Sequence, residues 1–152
     1  MNSNFIISKV RFFFIPILIL LFFVRCDDDE IPFPYVHIDA ILYVDTDLGN
    51  INVGDYTFVD GYGLGGLIIY RKDYSEYLAF DRACTYEASR NCKLQEEDVY
   101  DIIGIIECPC CGSTFWMTGE DNAGFFLDGP ANVPLKEYNC YLSGTNTLII
   151  KN

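Results

Sequence analysis

The stretch Cys108-Pro109-Cys110-Cys111-Gly112-Ser113-Thr114-Phe115 decides how this chain is organised, together with Cys84-Thr85-Tyr86 about two dozen residues earlier. Each stretch follows a segment of strand character, residues 99–107 and 76–80, and is predicted to form a loop at a strand end. Two cysteine-bearing loops that approach each other hold a metal or a disulfide. The chemistry of the chain is therefore expected at these two loops.

The rest of the chain has the pattern of short strands separated by turns. Residues 36–42 alternate between apolar and polar positions, which is typical of a strand with one buried face. The glycine-rich residues 61–66 precede a strand rather than a helix, which predicts a tight turn or bulge and not a phosphate-binding loop. Further strands are predicted at residues 67–70, 76–80, 99–107, 125–127, 135–142 and 147–150. No segment has helical periodicity, so the fold class predicted is an all-β antiparallel sandwich.

The N-terminal residues resemble a bacterial lipoprotein signal. Lys9 and Arg11 precede an apolar run of thirteen residues, 12–24, which is too short to cross a bilayer of roughly 30 Å as a helix. The run ends near Cys26, which in such signals is lipidated. Arg25 departs from the small residue usual before that cysteine, and an uncleaved anchor helix is the alternative.

The domain boundaries follow from this interpretation. We predict a signal peptide over 1–25, an acidic tether over 26–34 and one domain over 35–152. The acidic residues 27–30 resemble the export signal of surface-exposed lipoproteins of the Bacteroidetes. The predicted location is the bacterial cell envelope, with the outer membrane favoured. The lipid on Cys26 would attach the chain to the membrane, and the domain would face the periplasm or the cell surface.

The charge of the chain excludes one class of partner. Three of the ten basic residues and none of the 22 acidic residues precede Cys26, so the remaining chain has a formal net charge of −15. Such a surface repels phosphates, and nucleic acid is not expected as a partner. The other six cysteines allow fifteen complete disulfide pairings, and the sequence does not choose among them.

The two cysteine stretches resemble the cluster-binding loops of Rieske iron–sulfur domains, C-T-H and C-P-C-H-G-S-x-F/Y. In that family each loop gives a Cys to one iron and a His to the other. Residues 129–138 are similar to the proline loop and following strand that shield the cluster. The resemblance implies a Rieske-like fold over nearly all of the predicted domain.

The resemblance also implies roles for individual residues. Cys84 and Cys108 occupy the ligand positions of the family. Cys110 occupies the position of a disulfide cysteine, for which Cys92 is the nearest partner in the first loop. Three residues, Gly112, Ser113 and Pro130, would surround the group without binding it.

Both histidine positions differ from the family, since they hold Tyr86 and Cys111. Tyr86 offers a phenol oxygen, which is a reluctant metal ligand, whereas Cys111 offers a thiolate. Imidazole ligands give a Rieske centre a potential of about −150 to +300 mV, against about −400 mV for plant-type ferredoxins. A cluster held by Cys84, Cys108, Cys111 and a fourth group, for which Cys92 is one candidate, would therefore differ electronically from a Rieske centre.

Two alternatives to an iron–sulfur cluster stay open, a zinc ion and disulfides without metal. Cys108 and Cys111 have the C-x-x-C spacing of half a tetrahedral zinc site, with Cys84 and Cys92 as a looser second half. Alternatively, Cys92 pairs with Cys110, and Cys84 pairs with Cys108 or Cys111, as disulfides without metal. The cofactor is thus a [2Fe–2S] cluster by resemblance, or zinc, or none.

The function implied by the resemblance is one-electron transfer with a redox protein partner. The second hypothesis is a structural or binding lipoprotein whose loops are held by zinc or disulfides. A carrier or accessory subunit is favoured over a stand-alone enzyme, because no acid–base or nucleophilic constellation is present. His37 is expected to be solvated, Cys140 to be a core thiol, and Asp81 and Arg82 to form at most an exposed pair. Four aromatic residues, Phe115, Trp116, Phe125 and Phe126, are expected in the core.

Overall fold

The chain is represented by a computed structural model that describes residues 33–86, 88–89, 91–96, 104–119 and 121–152. Every regular element in these ranges is a β-strand, which confirms the all-β prediction. The predicted signal peptide, Cys26 and the tether as far as residue 32 lie outside the described ranges. No helix that could span a membrane occurs in the described ranges. The strands are β1 Asp39–Tyr43, β2 Tyr56–Val59, β3 Leu67–Arg71, β4 Tyr77–Asp81, β5 Gln95–Glu96, β6 Ile105–Glu107, β7 Thr114–Trp116, β8 Phe126–Asp128, β9 Glu137–Ser143 and β10 Thr147–Lys151.

The larger sheet has six strands in the order β1-β10-β9-β4-β3-β2, and every pairing is antiparallel. The alternation that predicted β1 is seen directly, since Ala40 and Leu42 are buried while their neighbours are exposed. The glycine-rich residues 61–66 connect β2 to β3 as turns, as predicted. This sheet delivers the first cysteine loop, which begins where β4 ends.

The smaller sheet has four antiparallel strands in the order β5-β6-β7-β8. The second cysteine loop joins β6 to β7. The pairing of β7 with β8 contains an irregularity between Thr114 and Phe115, directly after that loop. Because a bulge redirects the side chains that follow it, this position sets which residues of β7 face the core.

Two hydrophobic clusters support the sheets. One contains side chains from both sheets, among them Ile68, Phe80, Ile106 and Phe115, and it includes three of the cysteines. The other packs under β1, β9 and β10 around Leu148. Full burial of one such side chain contributes roughly 1.5–3 kcal/mol, so the cysteine loops rest on a stable base.

Candidate metal centre

Backbone hydrogen bonds close both cysteine loops at their base. In the first loop, residues 82–94, the amide of Leu94 donates to the carbonyl of Arg82 at 2.8 Å, and Ala83 forms a bridge with Lys93. In the second loop, residues 108–113, the amide of Cys108 donates to the carbonyl of Ser113 at 2.8 Å. These bonds fix the backbone directly before Cys84 and at Cys108, beside two of the thiols.

Three thiols from the two loops converge. The Sγ atoms of Cys84, Cys108 and Cys111 lie within 4.8 Å of one another, and those of Cys84 and Cys111 are 3.6 Å apart. Four sulfurs arranged tetrahedrally at ~2.3 Å from a metal are about 3.8 Å apart, so the spacing fits thiolate ligands of one ion. Cys84 and Cys108 are fully buried, and Cys111 is half-buried. The structure thus brings together three of the four residues predicted as metal ligands.

The fourth predicted ligand, Cys92, is joined to Cys110 by a disulfide with a Cα–Cα distance of 6.0 Å. This is the pairing that the family resemblance implied. A disulfide sulfur is not a thiolate, so the alternative in which Cys92 completes a four-thiolate site does not describe this structure. The bond ties the first loop to the second beside the three thiols, because the Sγ atoms of Cys92 and Cys108 are only 3.2 Å apart.

Ser113 links the thiols to the proline loop. Its buried hydroxyl accepts a hydrogen bond from the amide of Ala131 at 3.0 Å, and its oxygen lies 3.1 Å from the Sγ of Cys111. Since the amide occupies the oxygen as a donor, the hydroxyl hydrogen is available for the sulfur. Ser113 therefore favours the thiolate form of Cys111.

Burial and hydrogen bonding shift the pKa values of Cys108 and Cys111, the two thiols of the second loop, in opposite directions. Burial raises the pKa of Cys108, and hydrogen bonds from the amides of Cys110 and Cys111 offset only part of this effect. Burial also acts to raise the pKa of Cys111, but hydrogen bonds from Ser113 and from the neighbouring thiols outweigh it, so that this pKa is lowered. Cys111 is therefore the readier anion of the pair.

The proline loop, residues 129–136, contacts both cysteine loops. The hydroxyl of Thr85 in the first loop donates to the carbonyl of Val133 at 3.1 Å. A Cβ at Gly129 would lie 2.6 Å from the Cα of Ser113, so only glycine allows this approach to the second loop. Pro130 itself is exposed. These contacts place the loop against both cysteine loops, and its role in shielding a bound group stays a prediction.

Asp81, the last residue of β4, has a role that the sequence did not reveal. Its fully buried carboxylate accepts hydrogen bonds from the amides of Leu64, Gly65 and Ala83 at 2.6–2.9 Å, and from the hydroxyl of Tyr138 at 2.7 Å. The carboxylate therefore fixes the chain three residues before Cys84. The only hint in the sequence of a buried acceptor was the glycine-rich turn, which supplies two of these amides.

The pair that the sequence allowed between Asp81 and Arg82 is not among the ion pairs of the described residues, where Arg82 lies beside Asp60 instead. The guanidinium of Arg82 packs 4.0 Å over the ring of Phe58 and lies 3.8 Å from Asp60. Its Nε donates to the carbonyl of Leu94 at 2.6 Å, whereas the Asp81 carboxylate is held by backbone amides and by Tyr138.

The remaining candidates lie apart from the three thiols or on the surface. Tyr86 is 43% exposed, and His37 is exposed before β1 begins. Cys140 on β9 is half-buried rather than fully buried. Among the aromatic residues expected in the core, Phe115 is buried, but Phe125 and Phe126 are 54% and 42% exposed. For those two the core prediction is wrong, since Phe126 belongs to β8, which is exposed along its whole length, and Phe125 directly precedes it.

The donor set suits a thiophilic metal. Thiolates are ligands for zinc and for iron–sulfur groups, and the three described here have the spacing of a shared ion. In the described ranges, the clusters of potential ligands at the loops consist only of cysteines. Cys84, Cys108 and Cys111 are therefore the residues that would hold a metal.

Comparison with known proteins gives structural matches only. No family model and no curated protein matches the chain. The chain is similar to the ferredoxin of Sphingomonas yanoikuyae B1, with a TM-score of 0.43 and 20% identity over 77% of this chain and 99% of that one. It is similar to the ferredoxin of carbazole 1,9a-dioxygenase from Nocardioides aromaticivorans IC177, with a TM-score of 0.44 and 18% identity over 75% and 98%. A chain from a complex of reduced oxygenase and oxidized ferredoxin in carbazole 1,9a-dioxygenase matches with a TM-score of 0.43 and 18% identity over 78% and 98%.

The opposite pKa shifts of two thiols predict different reactivity. We expect iodoacetamide to alkylate Cys111 of metal-free protein at a pH below the usual thiol range, because its pKa is lowered. Burial, then the charge of Glu137, raises the pKa of Cys140 to about 12, so its alkylation should become fast only as the pH approaches that value. The measurement is the rate of adduct formation at each cysteine against pH, followed by mass spectrometry.

Ser113→Ala should shift the Cys111 profile to higher pH and leave the Cys140 profile unchanged. Ser143→Ala, at the exposed end of β9, is the matched control. An unchanged Cys111 profile in Ser113→Ala would show that the hydroxyl does not favour the thiolate.

Proposed function

We propose that this chain is an electron-transfer module of the bacterial envelope in which Cys84, Cys108 and Cys111 hold an iron–sulfur-type centre. The observation that carries the proposal is the convergence of three thiols, from two separate loops, within 4.8 Å. Cys84 and Cys108 are fully buried and Cys111 is half-buried, and a spacing close to that of sulfurs around one ion suits ligation. The order of motifs that resembles a Rieske domain supports iron as the metal.

The bound centre would supply one-electron oxidation and reduction. The protein would supply thiolates in place of imidazoles, and their negative charge favours the oxidised form and a lower potential. Ser113 would donate its hydrogen bond toward the sulfur of Cys111, and the proline loop would limit access of water. The chain would act as a carrier or subunit beside a redox protein partner rather than as a stand-alone enzyme.

A second candidate is a zinc-stabilised structural or binding module. The observation that favours it is the 3.6 Å distance between the sulfurs of Cys84 and Cys111, which is close to the edge of a tetrahedral site around one ion. A [2Fe–2S] cluster takes four protein ligands shared between two irons, whereas a single zinc ion takes four ligands in all, of which these thiolates would supply three. Here the metal would stabilise the fold, and no electron would be transferred.

The envelope location forms part of the proposal and is supported by the sequence. The apolar residues 12–24, Cys26 and the acidic residues after it are the features of a lipoprotein signal. Labelling of growing cells with an alkyne fatty acid tests this directly. Label on the wild-type chain and its loss in Cys26→Ser is the expected result, and equal labelling of both would exclude lipidation at Cys26.

Metal content and thiol count, measured on one anaerobically purified sample, test the proposed function. We expect iron with inorganic sulfide, visible absorption that bleaches with dithionite, and three titratable thiols that become accessible only after metal removal. One zinc per chain, with no visible absorption, would replace the first candidate by the second. Absence of both metals, with all three thiols reactive in native protein, would reject both candidates.

A further inference from the structure

The Cys92–Cys110 disulfide lies against a thiol that does not belong to it. The Sγ of Cys108 is 3.2 Å from the Sγ of Cys92, which is shorter than the 3.6 Å between Cys84 and Cys111. Cys92 and Cys108 are buried, whereas Cys110 is exposed. A thiol held beside one sulfur of a disulfide is the arrangement from which thiol–disulfide exchange proceeds.

We propose that Cys108 and the Cys92–Cys110 disulfide undergo intramolecular exchange, which produces a Cys92–Cys108 disulfide and exposes Cys110 as a thiol-modification site. The Sγ of Cys108 attacks the Sγ of Cys92, the Cys92–Cys110 bond breaks, and Cys110 leaves with the electron pair. The proton lost by Cys108 is balanced by the proton that Cys110 gains from water. The chain contains one disulfide before and after the step among these residues, so no oxidant or reductant is consumed.

The positions of the sulfurs determine the direction of this exchange. Attack falls on Cys92 because it is the near sulfur, and the leaving Cys110 is the sulfur that water can solvate. All three sulfurs lie within 4.8 Å of one another, so they are not in line, and Cys110 must swing outward for the reaction to proceed. We therefore expect exchange over the minutes to hours that are usual for uncatalysed disulfide rearrangement.

The exchange has a consequence for metal binding that rests on the proposed function. Cys108 belongs both to the three-thiol set and to the set formed with Cys92 and Cys110. A Cys108 that ligates a metal cannot attack the disulfide, and a Cys108 in a disulfide cannot ligate. A metal bound by Cys108 and the Cys92–Cys108 disulfide therefore exclude each other. Loss of the metal would lead to an exposed thiol at Cys110.

The experiment follows the cysteines of the full chain after metal removal. The protein is incubated with a chelator in anaerobic buffer without reductant, quenched with acid, alkylated with N-ethylmaleimide and mapped by mass spectrometry with fragment ions that locate each adduct. We expect alkylation of Cys110 to rise at least ~5-fold over hours, together with a Cys92–Cys108 cross-link. Persistence of Cys92–Cys110, with the adduct on Cys108 instead, would overturn the inference.

Two variants test whether Cys108 is the attacking thiol or whether any cysteine substitution changes the alkylation of Cys110. Cys108→Ser should hold Cys110 alkylation at its starting level, whereas Cys140→Ser, which changes a thiol outside both clusters, should behave as the wild type. If Cys108→Ser fails to fold by circular dichroism, Cys111→Ser carries the test, since it weakens the metal site and keeps all three exchanging sulfurs. That variant should show the exchange without chelator, and its absence there would count against the inference.

Metal analysis of the same samples keeps the two proposals apart. Exchange in protein that never contained metal would reject the proposed function and leave the exchange standing. Metal in the purified protein, followed by no exchange after its removal, would reject the exchange and leave the proposed function standing.

Discussion

Asp81→Ala is expected to lower the free energy of unfolding by about 3–5 kcal/mol, the range for a change that leaves several buried polar groups unpaired. The substitution removes a fully buried carboxylate that accepts three amide hydrogen bonds and one from Tyr138. Hydrogen bonds to a charged group contribute more than neutral ones, and the donors left behind cannot reach water. Urea unfolding followed by circular dichroism measures the change.

Two variants make this prediction specific to the carboxylate. Tyr138→Phe removes one donor and should cost about 1 kcal/mol, the typical net value of one hydrogen bond. Asp39→Asn changes an exposed carboxylate on β1, 3.5 Å from Lys151, and should stay within about 0.5 kcal/mol. Similar losses of unfolding free energy for Asp81→Ala and Asp39→Asn would show that the hydrogen bonds to the Asp81 carboxylate do not anchor the first cysteine loop.

Strands that alternate between buried and exposed residues could be predicted from the sequence, whereas β2, β5 and β7 could not. β1 and β10 alternate in burial, so their pattern is visible before the fold is known. β2 is half-buried along its whole length, and β5 has only two residues, both exposed. Neither alternates between buried and exposed residues, so neither carries the period-2 signal by which a strand is recognised in a sequence.

Some residues of the candidate site could likewise be predicted from the sequence, and others could not. Its cysteines could be found because sulfur chemistry is specific to a residue type and their loops follow recognisable strands. Asp81 could not be assigned, because its partners are mostly backbone amides that any sequence possesses. The exposure of Phe126 also could not be read from composition, since all three residues of β8 are exposed and the strand shows no alternation.

Cys108→Ser is expected to reduce metal affinity by more than ~100-fold, beyond the ~10–100-fold loss typical of a residue that only supports a ligand. Cys108 is the sulfur shared by both cysteine clusters, and its thiol is fully buried. At metal concentrations ~100 times the dissociation constant, the wild type gains about 2.7 kcal/mol from binding, and the variant should lose that gain. Metal content after gel filtration and thermal unfolding with and without metal measure both effects.

Cys140→Ser is the matched control because it makes the same atom change on β9, in the other hydrophobic cluster. It should keep its metal and lose only about 1 kcal/mol, as is common for a single core substitution. Cys84→Ser and Cys111→Ser should resemble Cys108→Ser if the three thiols act as one site. Retention of metal by all three variants would exclude these loops as the site. Loss in Cys108→Ser alone would separate Cys108 from the other two and favour its role beside the disulfide over ligation by all three thiols.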